Sequence, residues 1–210
     1  MSDGDERPTA EELWDRRYSA EDYVFGKEPN AFLAREAHRL RPGSTVLCIA
    51  DGEGRNGVWL AERGHAVTAV DVSSQALAKA DALAAERGVT LHFVQADLET
   101  WDWPLEAYDA VVAIFVQFAA PLKRARMFSN IAGALRRGGL LLLQGYRPEQ
   151  LAYATGGPPQ AENLYTSALL RSELNGLEIV TLVEHDSIIE EGRGHSGMSA
   201  LIDLVATRSE

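Results

Sequence analysis

The chain of 210 residues contains a single cysteine, Cys48. One thiol cannot close an internal disulfide or build a cysteine-based metal site. It stands inside the apolar run Thr45-Val46-Leu47-Cys48, where a small buried hydrophobe is the natural reading rather than a nucleophile. No metal centre is expected. Basic stripes are missing as well: 20 Lys and Arg face 31 Asp and Glu, for a formal charge of −11. Neutralising phosphates takes clustered cations, so no nucleic-acid partner is expected, and the acidic balance reads as solvated surface. There is no apolar segment long enough for a membrane span, and no basic start followed by an apolar signal core. The expectation is a cytoplasmic protein with no membrane partner. Without internal repeats or low-complexity linkers, one domain is expected.

Hydrophobic residues make up 46% of the chain and charged residues 24%, enough to build a sizeable core. Residues 1–9, MSDGDERPT, are polar and acidic with a proline, which predicts a loose tail. Residues 10–43 read as a helical cap. Its first helix starts at Ala10, with Thr9 as N-cap and Glu11 and Glu12 in the first turn. That helix carries Leu13, Trp14 and Tyr18, and a second spans Asn30 to Leu40, stopping at Arg41-Pro42-Gly43. From residue 44 to 210 strands and helices alternate. Strands are predicted at Ser44–Ala50, Ala66–Asp71, Thr90–Gln95, Tyr108–Phe115, Gly139–Gly145, 177–190 and Met198–Thr207. Helices are predicted at Gly54–Arg63, Ser74–Arg87, briefly near Trp101, and at Pro121–Leu135. Near-continuous apolar runs such as DAVVAIFV and GLLLLQG suit parallel strands covered on both faces. The alternation predicts an open, doubly wound α/β sheet of Rossmann-like type. Glu191–Gly197 is too short for a helical crossover, so the seventh strand of a mostly parallel sheet should be antiparallel.

The turn IADGEGRNG carries Gly52, Gly54 and Gly57 in the G-x-G-x-x-G spacing of dinucleotide sites, with Asp71 about 20 residues further on. Asp51, Asp71 and Asp97 close three successive strands, and ligands of such sheets bind beyond the carboxyl ends. A helix terminus facing pyrophosphate would be disfavoured by carboxylates beside it, whereas Asp51 and Glu53 suit a cation. On the turn alone, a nicotinamide cofactor stays open.

Taken in order, the motifs resemble those of class I S-adenosylmethionine-dependent methyltransferases. VLCIADGEGRNG matches the first motif and VTAVDVSS the second, which implies Asp71 as ribose ligand with Val72 beside it. VQADLE matches the third, placing Asp97 and Leu98 near the adenine. YDAVVAIFVQF looks like the fourth, with Phe115, and LRRGGLLLLQGY like the strand-five motif. Cys48, Ala50 and Arg137 depart from the usual acidic residue, Gly and Pro. Within the class, WDRRY, YVFGKEPN, GRN, GY, TGGP and EGRGHSG are similar to tellurite-resistance-type small-molecule methyltransferases. The resemblance implies a compact one-domain enzyme without a nucleic-acid-recognition domain, and a monomer or weak homodimer is expected. It would take S-adenosylmethionine, release S-adenosylhomocysteine and methylate a small-molecule acceptor by in-line displacement, which needs chiefly positioning.

Cofactor residues would then be Asp51, Gly52, Gly54, Arg55, Asn56, Asp71, Val72, Asp97, Leu98 and Phe115. Arg55 has three sensible partners: Asp51, the cofactor carboxylate or the substrate. On the acceptor side, His195 and Arg193 share a glycine-rich loop, and the resemblance implies a substrate-side histidine there. Strand six should be parallel to its neighbours, so that this loop overhangs the cofactor. Tyr146 and Tyr153 flank the loop after strand five, and residues 155–162 look like a pocket rim. Trp14, Tyr18, Tyr23 and Phe25 supply aromatic faces for the cap. If neutral His195 takes a proton, turnover should rise through pH of about 6.5. The rival readings are an NAD-dependent oxidoreductase and a non-catalytic S-adenosylmethionine-binding protein.

Overall fold

A computed structural model describes residues 8–209. Most of the expected tail, residues 1–7, lies outside them. Helix α1 (Ala10–Tyr18) starts at a capping box in which Thr9 Oγ1 accepts from Glu12 N and Glu12 Oε2 accepts from Thr9 N. Asn30 caps α2 (Ala31–Glu36), its Oδ1 accepting from Leu33 N at 3.0 Å. The expected second helix is shorter than its pattern, because residues 37–39 tighten into a 3₁₀ turn.

Among the described residues seven strands form one sheet: β1 (Thr45–Ile49), β2 (Ala66–Asp71), β3 (His92–Gln95), β4 (Tyr108–Ile114), β5 (Leu135–Tyr146), β6 (Glu178–Glu190) and β7 (Ser196–Thr207). Their order is β3-β2-β1-β4-β5-β7-β6. Strands β1 to β5 are parallel, and β7 runs antiparallel between β5 and β6. The order reverses between β1 and β4, which opens a crevice at their carboxyl ends. Helices α3 (Arg55–Glu62), α4 (Ser74–Arg87) and α5 (Pro121–Ala134) are the crossovers, followed by α6 (Gln150–Tyr153) and α7 (Ser167–Glu173).

Period-two alternation splits the core between the two faces. Leu47, Ile49, Val111, Leu141 and Leu143 pack with Met127, Phe128 and Ile131 of α5. Val46, Cys48, Val112 and Leu142 pack with Phe32 and Leu33 of α2 and Leu60 of α3. No helix among the described residues is long and apolar enough to cross a membrane.

Three expectations are corrected. No helix forms near Trp101: Asp97 Oδ1 accepts from Glu99 N, Asp97 O accepts from Thr100 N and Trp101 N, and the Trp103 indole donates to Leu98 O. Pro104 then removes the donor a helix would need. Strand β5 begins four residues early, directly after α5, because Leu135 pairs with Tyr108 ahead of a register shift. Strand β6 has no parallel neighbour. It pairs only with the antiparallel β7, yet runs in the direction of β1–β5, so the β6–β7 turn still reaches the crevice.

Candidate functional site

A cavity of about 500 Å³ occupies the crevice. Its floor is the turn after β1. Gly54 has φ +85°, and a Cβ there would lie 2.6 Å from Ala80 Cβ, so only glycine lets α3 begin against α4. Gly52 has φ +59°, with the Tyr18 hydroxyl 2.8 Å from where its Cβ would be. Ala50, where the family's first motif usually has Gly, also adopts a left-handed φ of 46°, a strained conformation for a residue with a Cβ.

Asp71 ends β2 and lines the cavity beside Val72. Its Oδ2 accepts from Gly52 N at 2.8 Å and its Oδ1 from Ser73 N at 2.9 Å. Each oxygen keeps a free lone pair. Burial raises its pKa. Asp97 is exposed on the wall beside buried Leu98. Asp51 Oδ2 accepts from Gly57 N at 3.2 Å, and burial, aided by the charge of Asp71, pushes its pKa up to about 7.

Glu53 does not add free acidity to the turn. Its carboxylate is 3% exposed and accepts from Val24 N at 2.7 Å, Phe25 N at 3.3 Å and Lys79 Nζ at 2.8 Å. It fastens the segment after α1 to the floor. Asp15 does the same for α1 itself, accepting from Ser73 Oγ, Ser74 Oγ and Gln75 N at the start of α4. Trp14, Arg17, Tyr18 and Phe25 thereby line the cavity, and the Arg17 guanidinium lies over the Trp14 and Phe25 rings.

On the β5–β7 side, the Tyr146 hydroxyl lies 2.8 Å from His195 Nδ1. Phe115, held at φ 55°, places its ring centroid 4.6 Å from Tyr146 and 4.3 Å from His195, and Phe25 lies 4.6 Å from His195. Gln117 clamps Tyr146 through both its backbone N and O. Gly156, Gly157, Pro158 and Pro159 complete the lining. His195 is 8% exposed, and burial, with Arg55 and Arg17 nearby, lowers its pKa to about 3. The expected step at pH 6.5 is therefore corrected: His195 is neutral across the neutral range and is a weak base.

Between pH 6.5 and about 3, the unfolded histidine binds a proton that the folded one refuses. Its contribution to stability is therefore lost as pH falls through that window. Asp51, whose folded pKa is raised, contributes the opposite slope, but it is common to wild type and variant. His195→Gln should thus gain about 3 kcal/mol on wild type between pH 7 and pH 4, at about 1.4 kcal/mol per pH unit over the titrating range. Urea unfolding at both pH values checks this, and an unchanged difference would contradict a buried neutral His195.

Arg55 is 6% exposed and lines the cavity. It makes no hydrogen bond to Asp51, the expected partner that lies within the chain. It pairs instead with Glu191, Nη2 to Oε2 at 2.7 Å, and its Nη1 has no hydrogen-bond partner among the described residues. Glu191 also accepts from Asn30 Nδ2 at 2.9 Å and Ala31 N at 3.2 Å, and Asn30 N donates to Asn56 Oδ1.

Three named side chains lie outside the cavity lining. Tyr23 donates to Lys79 O on α4, Tyr153 donates to Asp186, and Arg193 is exposed on the β6–β7 turn. Gln117 and Glu191 had no assigned site role in the sequence, and Glu53 was read there only as free acidity in the turn. Gln117, a polar residue closing an apolar run, and Glu191, an acid beside glycines, were the available signals.

The fold is a doubly wound α/β sheet with a reversed seventh strand, and Asp51, Asp71 and Asp97 at or just after its first strand ends all line one cavity. Residues 46–139 match the profile of a family described as a methyltransferase domain. Over that stretch, which runs from β1 into β5, the chain is similar to methyltransferase domains. A phosphatidylethanolamine N-methyltransferase of Cereibacter sphaeroides is 31% identical over 131 residues, 61% of this chain and 64% of that protein. The matched stretches span from 36% to 64% of the length of the curated relatives. A structure reported for conversion of a disulfide bond into a thioacetal group during echinomycin biosynthesis superposes with a TM-score of 0.75 at 22% identity, covering 95% of this chain and 91% of that one. TehB from Haemophilus influenzae gives a TM-score of 0.69 at 16% identity, covering 95% of this chain and 67% of that one. At these identities the structural likeness concerns the fold.

Proposed function

We propose that the chain transfers a methyl group from S-adenosylmethionine to a small-molecule acceptor in the cytoplasm, with residues 10–43 acting as a cap over the site. The observation that carries this reading is one cavity with two unlike halves. Carboxylates line the β1–β3 side, and an aromatic wall around neutral His195 lines the β5–β7 side. Its volume of about 500 Å³ suits a nucleoside-sized ligand together with a small acceptor.

The residues present fit the cofactor. Asp71 has lone pairs for the ribose hydroxyls, Asp97 and Leu98 flank the adenine position, and the Gly52–Gly54 turn allows close backbone approach. When bound, S-adenosylmethionine supplies a methyl group activated by a sulfonium. Tyr146 and His195 orient the acceptor through hydrogen bonds, while Phe25 and Phe115 exclude water. Aromatic faces near a cation contribute about 0.5–2 kcal/mol.

A nicotinamide cofactor is the weaker reading, because the uncompensated Asp51 lies where a pyrophosphate would approach the start of α3. Titration calorimetry separates the two. S-adenosylmethionine and S-adenosylhomocysteine should bind and NAD should not; the reverse order would overturn the proposal.

A further inference from the structure

We propose that Arg55, oriented by Glu191, forms an anion subsite on the acceptor side of the cavity, so that the acceptor reacts as an anion and not as an ammonium. The proposal rests on the methyltransferase reading and deepens it by naming the acceptor class.

Among the described residues, two arginines line the cavity, Arg17 and Arg55. The charges of both reach His195, and that of Arg55 reaches Tyr146. Arg55 is the better built. It is 6% exposed and fixed by one carboxylate oxygen through Nη2, and it keeps Nη1 without a partner among the described residues. A buried guanidinium nitrogen left unpaired is costly, and a ligand oxygen or sulfur anion relieves that cost.

Among the described residues, the glutamates of this half are already engaged. Glu191 is occupied by Arg55, Asn30 and Ala31 N. Glu53 is occupied by Lys79 and two backbone N–H groups, and Glu99 at the rim pairs with Lys123. Asp51 shares the turn with Arg55 and feels its charge, accepts from Gly57 N, and burial pushes its pKa up to about 7, while Asp71 and Asp97 lie at or just after the ends of β2 and β3. An ammonium acceptor must also shed a proton before it can attack. His195 is a weak base here, and burial holds the Tyr146 phenol above its usual range, so it stays protonated.

An anionic acceptor needs neither service. Its lone pair forms the new bond to the methyl carbon. The carbon–sulfur bond of S-adenosylmethionine breaks with its electron pair on sulfur, and the two opposite charges cancel with no proton to remove. Glu191 is a positioning residue in this scheme: it orients the guanidinium while Glu191 N, donating to His195 O at 2.8 Å, closes the turn that carries His195.

The test uses two aromatic probes of opposite charge, 4-nitrothiophenolate and benzylammonium. Each is titrated into the S-adenosylhomocysteine complex and into the protein alone. The thiolate should bind at least tenfold more tightly than the ammonium. Arg55→Gln should weaken thiolate binding roughly tenfold, the worth of one charge-assisted hydrogen bond. Arg55→Lys should restore part of it, Glu191→Gln should weaken it severalfold, and S-adenosylhomocysteine affinity should stay within about twofold throughout. Preference for benzylammonium would overturn the proposal, as would thiolate binding indifferent to Arg55. So would loss in Arg55→Gln of S-adenosylhomocysteine affinity alone, since Arg55 would then serve the cofactor. Failure of S-adenosylhomocysteine to bind wild type would instead remove the methyltransferase reading, while the protein-alone titrations still report the charge preference.

Discussion

Asp71→Ala is expected to weaken S-adenosylmethionine binding roughly tenfold to a hundredfold, because hydrogen bonds to a charged acceptor contribute about 1.5–3 kcal/mol. The structure adds a second source for the loss. Asp71 accepts from Gly52 N and Ser73 N, so its carboxylate also holds the floor of the cavity and the start of α4. Asp71→Asn separates the two. An amide oxygen retains one acceptor toward the backbone but offers its other side as a donor, so the affinity loss should remain while the fold is better preserved. Calorimetry on folded variants measures both. Unchanged affinity in Asp71→Ala would displace the cofactor from the β2 end of the cavity.

Glu53→Ala should be the most destabilising single change in the site, at about 2–4 kcal/mol. Removing one partner of a buried ion pair costs roughly 3–5 kcal/mol, here lessened because Lys79 retains some contact with water. Val24 N and Phe25 N lose their acceptor at the same time. Detachment of that segment would free Phe25 from its contact with His195 and loosen the wall around it. Urea unfolding should show the loss, and tighter dependence of stability on added S-adenosylmethionine should accompany it, since ligand binding selects the closed cap. A change below about 0.5 kcal/mol would mean that Glu53 is a surface acid.

The sheet was legible because its signals are local. Apolar runs bounded by glycines marked the strands, and a seven-residue link between the last two strands forced the antiparallel pairing. Asp71 and Asp97 were legible as acids closing strands. What escaped depends on segments distant in sequence meeting in space. Glu53 reads as part of an acidic turn until the segment carrying Val24 is docked on it. Glu191 and Arg55 are far apart in the chain, and no pattern announces their pairing. Tyr23 and Tyr153 have the aromatic character of cap and pocket residues, but composition does not say which way a side chain faces. His195 was found from its loop, whereas its depressed pKa comes from burial among Phe25, Phe115 and Tyr146, which only packing creates. The short helix near Trp101 failed for a local reason, the Asp97 turn followed by Pro104.

The central claim is methyl transfer, and S-adenosylmethionine carrying a labelled methyl group tests it most directly. The protein is incubated with that donor and a set of small-molecule thiolates, carboxylates and amines, and the label is followed by mass spectrometry. The account predicts that S-adenosylhomocysteine accumulates in step with a labelled small molecule from the anionic group, and that Asp71→Ala slows both. Tight S-adenosylmethionine binding with no S-adenosylhomocysteine formed from any acceptor would contradict it and leave a protein that binds the cofactor without using it.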